Sequence, residues 1–182
     1  MARALWQTSA ANSTANHRWV AYELIAAHPR AFRSLDEAAL EALGQGIDSW
    51  WTVNAFKLAE FERTLAGPAW RDGLVPDALI HRWAHASDCW QRRAALVCTV
   101  ALNVRSRGGQ GDAPRTLTVC RLLVDDHDEM VAKAMSWALR ELVVHDPQAV
   151  QDFLAEYDNR LAARVKREVR DKLRTGLKNP RT

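Results

Sequence analysis

Between clusters of glycine and proline, the apolar positions of this chain recur at three- and four-residue spacing almost throughout. No stretch alternates apolar and polar residues in the manner of a strand. The spacing predicts helices near residues 15–28, 35–45, 49–65, 76–86, 89–105, 113–124, 128–145, 147–157 and 160–175. Cap residues mark several starts: Ser34 ahead of LDEAAL, Ser49 or Asp48 ahead of WWTVNAF, Asp112 ahead of APRTL, and Asp146 followed by Pro147. Gly44, Gly67 and Gly176 are the corresponding stop positions. The longest irregular stretch, RSRGGQGD at 105–112, reads as a mobile basic loop.

The predicted helices pair up with a loose internal period. HRWVAYELI, CWQRRAALV, EMVAKAMSW and LAARVKREV open in related ways, and Arg93 and Lys133 stand 40 residues apart in two of them. Helix pairs at that spacing read as HEAT-like or armadillo-type repeats, which stack into an α-solenoid. Such a stack leaves a concave face lined by one helix of each pair. The expected class is therefore all-α, with an irregular helical bundle as the alternative. On the repeat reading, residues 15–176 are a single domain between a flexible lead at 1–14 and a basic tail at 177–182.

Composition narrows the possibilities. With 182 residues, 48% of them hydrophobic, the chain can bury a core without disulfide or metal staples. Cys89, Cys98 and Cys120 are an odd, sparse set without a CxxC pair. That argues against a disulfide framework or a zinc site and for a reducing, cytoplasmic setting. No apolar run approaches membrane-spanning length, and MARALWQTSAANS lacks the apolar stretch of a signal peptide, so neither membrane insertion nor secretion is expected. Eight tryptophans are a high count for such a chain. The charge is also lopsided: residues 160–182 carry nine Lys/Arg against two acids, although the total is only +3. A basic end on a near-neutral body fits a polyanion partner, or a terminal helix charged for solubility.

The helix predicted at 128–145 is the most informative. Met130, Val131, Ala134, Met135, Ala138, Leu139 and Leu142 account for its core stripe. At about 100° per residue, Lys133, Trp137 and Arg140 then fall together on another side. Two readings fit that face. One is an aromatic and cationic platform for nucleic acid, with the cations on phosphate and the indole against sugar or base. The other is a tryptophan packed on the next repeat with the cations lying along it. On the helix at 49–65, Trp50, Asn54 and Phe61 share a face. Asn54 is there either a residue at the mouth of a cleft or a satisfied buried carboxamide, and Trp51 packs between helices. In CWQRRAALV, Trp90 belongs to the core stripe, while Arg92 points away from it and Arg93 lies at its flank, and both are phosphate ligands or ordinary surface arginines. The last helix carries Arg164, Arg167, Arg170 and Arg174 opposite its apolar stripe, a strip suited to a DNA backbone or to solvent.

Other constellations are weak. His81 and His85 are four apart but lack an intervening general base and a third ligand, so no metal is expected. GGQG at 108–111 forms a turn without the lysine a phosphate cradle requires.

Taken together, IDSWWTVNAF, CWQRRAALV and KAMSWALRELVVHDP followed by LAARVKREVRDKL resemble the AlkD-type DNA alkylation repair family, from about residue 17 onward. The resemblance implies a right-handed α-solenoid of HEAT-like repeats that binds duplex DNA in a basic concave groove. It implies hydrolysis of the N-glycosidic bond of N3- or N7-alkylated purines, with no cofactor or metal, without flipping the base into a pocket. Carried over by residue, it places Trp50 and Trp137 at the lesion, Arg140 beside Trp137, and a phosphate contact on Arg92 or Arg93. The family's catalytic aspartate falls on Asn54.

That departure matters chemically. Cleaving the bond to a cationic purine builds positive charge on the sugar, which a nearby carboxylate stabilises while orienting water. Asparagine offers only a dipole, and losing such a preorganised charge costs on the order of 10²–10³-fold in rate. Asp48 is close in sequence but reads as a cap. The short polar lead also implies less wrapping of the duplex than in full-length relatives. The expectation is thus a cytoplasmic DNA alkylation repair protein, monomeric or weakly dimeric. Its alternatives are a catalytically impaired DNA-binding module and a protein-interaction scaffold.

Overall fold

In the computed structural model, residues 15–45 and 62–178 are described. Among them the secondary structure is entirely helical, without a strand. Chain contacts divide the protein into two compact units, Met1–Leu79 and Ile80–Thr182. Residues 1–14, most of the helix predicted at 49–65 with its Asp48 or Ser49 cap, Trp51 and Phe61, and the last four residues of the tail lie outside the described residues.

In the first unit, α1 (Ala15–Ala27), α2 (Pro29–Arg33) and α3 (Glu37–Gly44) follow one another closely. A π-helical turn (Glu62–Ala66) runs directly into α4 (Gly67–Arg71). Gly67 therefore continues a helix instead of stopping one: Ala66 before it is already in right-handed helical backbone, and the chain runs on through Pro68. The start of α3 is capped by Asp36, whose carboxylate accepts from Ala39 N at 2.8 Å. Ser34, expected in that role, instead donates back to Ala31 O at the end of α2. Its hydroxyl lies too early to reach the first free amides of α3. Tyr22 Oη donates to Leu43 O at 2.9 Å, tying α1 to the end of α3. Leu40, Leu65 and Trp70 are fully buried, and Trp70 satisfies its indole N–H on Asp77 at 2.7 Å.

The second unit begins within α5 (Asp77–Ala84) and continues through α6 (Cys89–Asn103), α7 (Ala113–Leu122), α8 (Glu129–Leu142), α9 (Pro147–Glu156) and α10 (Ala163–Thr175). Central in this unit, α8 packs against α6 and α10, while α7 lies against both α6 and α8 and α9 contacts α8. Alternate helices α6, α8 and α10 thus pack in succession, with α7 and α9 each also against α8. The apolar period explains the placing of α8, since its Val131, Ala134, Met135, Ala138, Leu139 and Leu142 are all buried, whereas α6 is buried on every side from Ala94 to Asn103.

Aspartate caps define four of these helices. Asp88, Asp112, Asp128 and Asp146 each accept from backbone amides in the first turn of α6, α7, α8 and α9. Gly176 ends α10 in the left-handed region, as its sequence position implied.

The segment 105–112 is not the loose loop its composition suggested. Asn103 Nδ2 donates to Thr99 O and Thr116 Oγ1, both at 2.9 Å, and its Oδ1 accepts from Asp112 N at 3.1 Å. His145 Nε2 meets Asn103 O at 2.6 Å, adding a tie to the end of α8. The backbone of Gly109 passes so close to α6 that a Cβ there would lie 2.6 Å from Val104 N. A buried asparagine thus holds a loop that glycine content alone marks as free.

Candidate functional site

Along α8 the buried stripe leaves Lys133, Trp137, Arg140 and Glu141 as the half-buried positions between Val131 and Leu142. The indole N–H of Trp137 donates to Glu141 Oε1, one turn on, at 3.0 Å. Lys133 Nζ pairs with Glu129 Oε1 at 2.8 Å. Arg140 is more deeply set, its side chain 15% exposed, with Nε donating to Ser136 Oγ at 3.2 Å. Burial pulls its guanidinium pKa below the ordinary arginine value against the opposing pull of Glu168 and Glu141, though arginine stays charged at neutral pH.

The opposite bank is α10. Its apolar residues Val165 and Val169 are fully buried, and between them Glu168 is buried as well, at 3% exposure. A carboxylate in that position is costly unless paired and hydrogen-bonded. Here Ser136 Oγ donates to Glu168 Oε2 at 2.6 Å and Arg164 donates to its other oxygen at 3.1 Å. Arg140 Nε and Arg167 each approach to 4.0 Å and Lys178 Nζ to 3.5 Å. Burial pushes the Glu168 carboxyl up, but the Ser136 hydroxyl, Lys178, Arg140 and Arg164 outweigh it and hold the group below the usual glutamate range. It is therefore a fixed anion and a poor base.

The consequence is electrostatic. Four cations surround one carboxylate, so positive charge is left over where α8 and α10 meet. Glu129 continues the network, lying 2.8 Å from Lys133 and 3.7 Å from Arg164. Arg167 is the most open of these groups, with 66% of its side chain exposed. Chemically, the seam offers cations for an anionic chain and a half-buried indole beside them for a sugar or base.

The structure brings together Lys133, Trp137, Arg140, Arg164 and Arg167 from the sequence-derived set. Arg170 turns aside to pair with Asp158. Arg92 faces its own scaffold: Nε bonds Asp126 at 2.6 Å, and Nη1 bonds the carbonyls of Ala86 and Ser87 at 3.1 and 2.7 Å. Arg93 reaches from α6 to Met130 O at 2.9 Å, in the first turn of α8. Trp50 and Asn54 lie outside the described residues. Sequence reasoning missed Ser136, Glu168 and Lys178. The signal for Glu168 was available, since it stands three residues after Val165 on the apolar stripe of a basic helix, one turn from Arg164.

Among the described residues, no three His, Cys, Asp or Glu gather as a metal-binding group, and no helix is long and apolar enough to cross a membrane. No curated protein and no solved structure matches the chain. A family model does, and its span includes α8 and most of α10. Described as the DNA alkylation repair enzyme, it matches residues 1–173, and the chain belongs to that family.

Proposed function

We propose that the chain binds duplex DNA through the α8–α10 seam and hydrolyses the N-glycosidic bond of N3- or N7-alkylated purines. The observation that carries the binding half is the surplus of cations around Glu168 beside Trp137. Arg140, Arg164, Arg167 and Lys133 hold phosphates, with Arg170 at the margin. Arg93 is close enough to α8 to assist, whereas Arg92 chiefly fastens α6 to the Asp126 turn. The succession of α6, α8 and α10, with α7 and α9 each also against α8, is the arrangement expected of HEAT-like repeats in a solenoid.

The hydrolytic half rests on family membership and on chemistry. An alkylated purine is already a cationic leaving group, so no general acid is needed to release it. The positive sugar that develops is stabilised by the phosphates the seam holds in place and by the electron-rich faces of Trp137 and Trp50. Asn54 orients the attacking water through its amide dipole, which is weaker help than a carboxylate gives. Neither half calls for a metal or cofactor.

Asn54 also favours a second reading, a binding module that recognises alkylated DNA without cleaving it. Release of 7-methylguanine and 3-methyladenine from methylated duplex separates the two. The expected result is slow release by the wild type, raised about 10²-fold or more in Asn54→Asp. Release by Asn54→Asp alone supports the binding module, and release by neither protein overturns the hydrolytic reading.

A further inference from the structure

Ser136 is a fully buried hydroxyl on α8, one turn before Arg140. Serine in a helix interior usually bonds back to the backbone or points to solvent. This one does neither. Its proton goes to Glu168 Oε2 at 2.6 Å, across to α10, and its oxygen accepts Arg140 Nε at 3.2 Å. The three groups form a directed chain, guanidinium to hydroxyl to carboxylate, in which each bond polarises the next. The carboxylate end is immobile, since Glu168 is buried and held by Arg164 and Lys178 as well.

The chain fixes the free end of Arg140. Its Nε is turned inward on Ser136, while among the described residues its two Nη groups make no hydrogen bond. An arginine anchored by Nε presents both Nη atoms in one plane, the fork that grips a phosphate through two parallel bonds. Without the anchor, the side chain spreads over its rotamers, and binding must bear the cost of ordering it.

We infer that Ser136, braced by Glu168, is a positioning residue that aims the Arg140 fork at a single DNA phosphate. The inference rests on the phosphate-binding reading of the seam. Glu168 acts as the fixed anion of the chain and takes no proton from substrate, being buried and paired with cations.

The test is a double-mutant cycle read as duplex DNA affinity at low salt, with thermal melting to verify that each variant is folded. Ser136→Ala removes only a buried oxygen and leaves Glu168 its other cationic partners. It is expected to weaken binding roughly 3- to 10-fold and to have no further effect on an Arg140→Ala background. Arg140→Lys retains the charge but loses both the Nε donor and the fork. It is expected to bind more weakly than wild type, with Ser136→Ala silent there too. Equal penalties for Ser136→Ala with and without Arg140, or wild-type affinity in Arg140→Lys, overturn the positioning role while leaving the seam as a DNA site. Unchanged affinity in Arg140→Ala overturns the phosphate reading itself and the positioning role with it.

Discussion

Glu168 owes its ionised state to neighbours drawn from α8, α10 and the segment after α10, and its charge is consequently tied to folding. Its folded pKa is depressed, so the stability it contributes is present above the unfolded glutamate value of about 4.3 and is lost as pH falls through the folded value. Denaturant titrations between neutral and acid pH are expected to show this loss in the wild type and a shallower acid decline in Glu168→Gln. An identical decline in both would assign the effect to other carboxylates. The thiols give a second check. Burial pushes the Cys120 thiol up to about 12, Cys98 is also buried, and only Cys89 is part-exposed, its pKa raised by burial and by Asp128 and Asp88. A thiol reagent near neutral pH is expected to modify Cys89 slowly and the other two only after unfolding. Rapid modification of Cys120 in the native protein would contradict the packing of α7. At this scale the cationic side chains were legible because helical phase separates them from the apolar stripe. Glu168 and Ser136 were not, because a polar residue on a core face is intelligible only once its partner, 32 residues away, is known.

At the level of elements, four successive aspartate caps set where α6 to α9 begin, and α10 begins without a side-chain cap. Removing one cap in Asp128→Ala is expected to cost about 1 kcal/mol, read as a lowered denaturation midpoint with an unchanged slope. No change would mean that α8 is held by packing alone. Gly109 is a harsher test of the 105–112 segment. A methyl there meets Val104 N at 2.6 Å and Asn103 C at 2.8 Å, both backbone atoms that cannot give way. Gly109→Ala is expected to destabilise by about 1–3 kcal/mol, whereas a loosely tethered loop would tolerate it. The longer helices of the described residues were readable from period and caps to within a few residues. The short α2 and α4 were not anticipated, and most of the helix expected at 49–65 lies outside the described residues. Asp112 and Asp146 announced their helices because each lies just ahead of a proline at a helix start. The Asn103 staple did not, because hydrogen bonds from one helix end to a following loop leave no periodic trace. Gly67 misled for a related reason: glycine signals a permitted stop, and the π-helical turn before it shows the chain continuing.

For the whole molecule, the telling quantity is the distribution of charge. A total of +3 would scarcely draw a polyanion, but much of the positive charge lies near the C-terminus, where α10 meets α8. The chain belongs to the DNA alkylation repair enzyme family, and the proposed role of this seam in binding DNA is in keeping with that membership. Protein scaffolding, the remaining alternative, would place partner contacts on apolar surface and make them insensitive to salt. The most direct measurement is therefore duplex DNA affinity across a salt series, for wild type and the Arg140→Ala/Arg167→Ala double variant. The expected result is a linear fall of log affinity with log salt, at a slope near −0.9 per phosphate neutralised. In the double variant that slope should be shallower by about two, one for each arginine removed. Affinity that ignores salt, or a slope the double variant leaves unchanged, would contradict DNA binding through the α8–α10 seam.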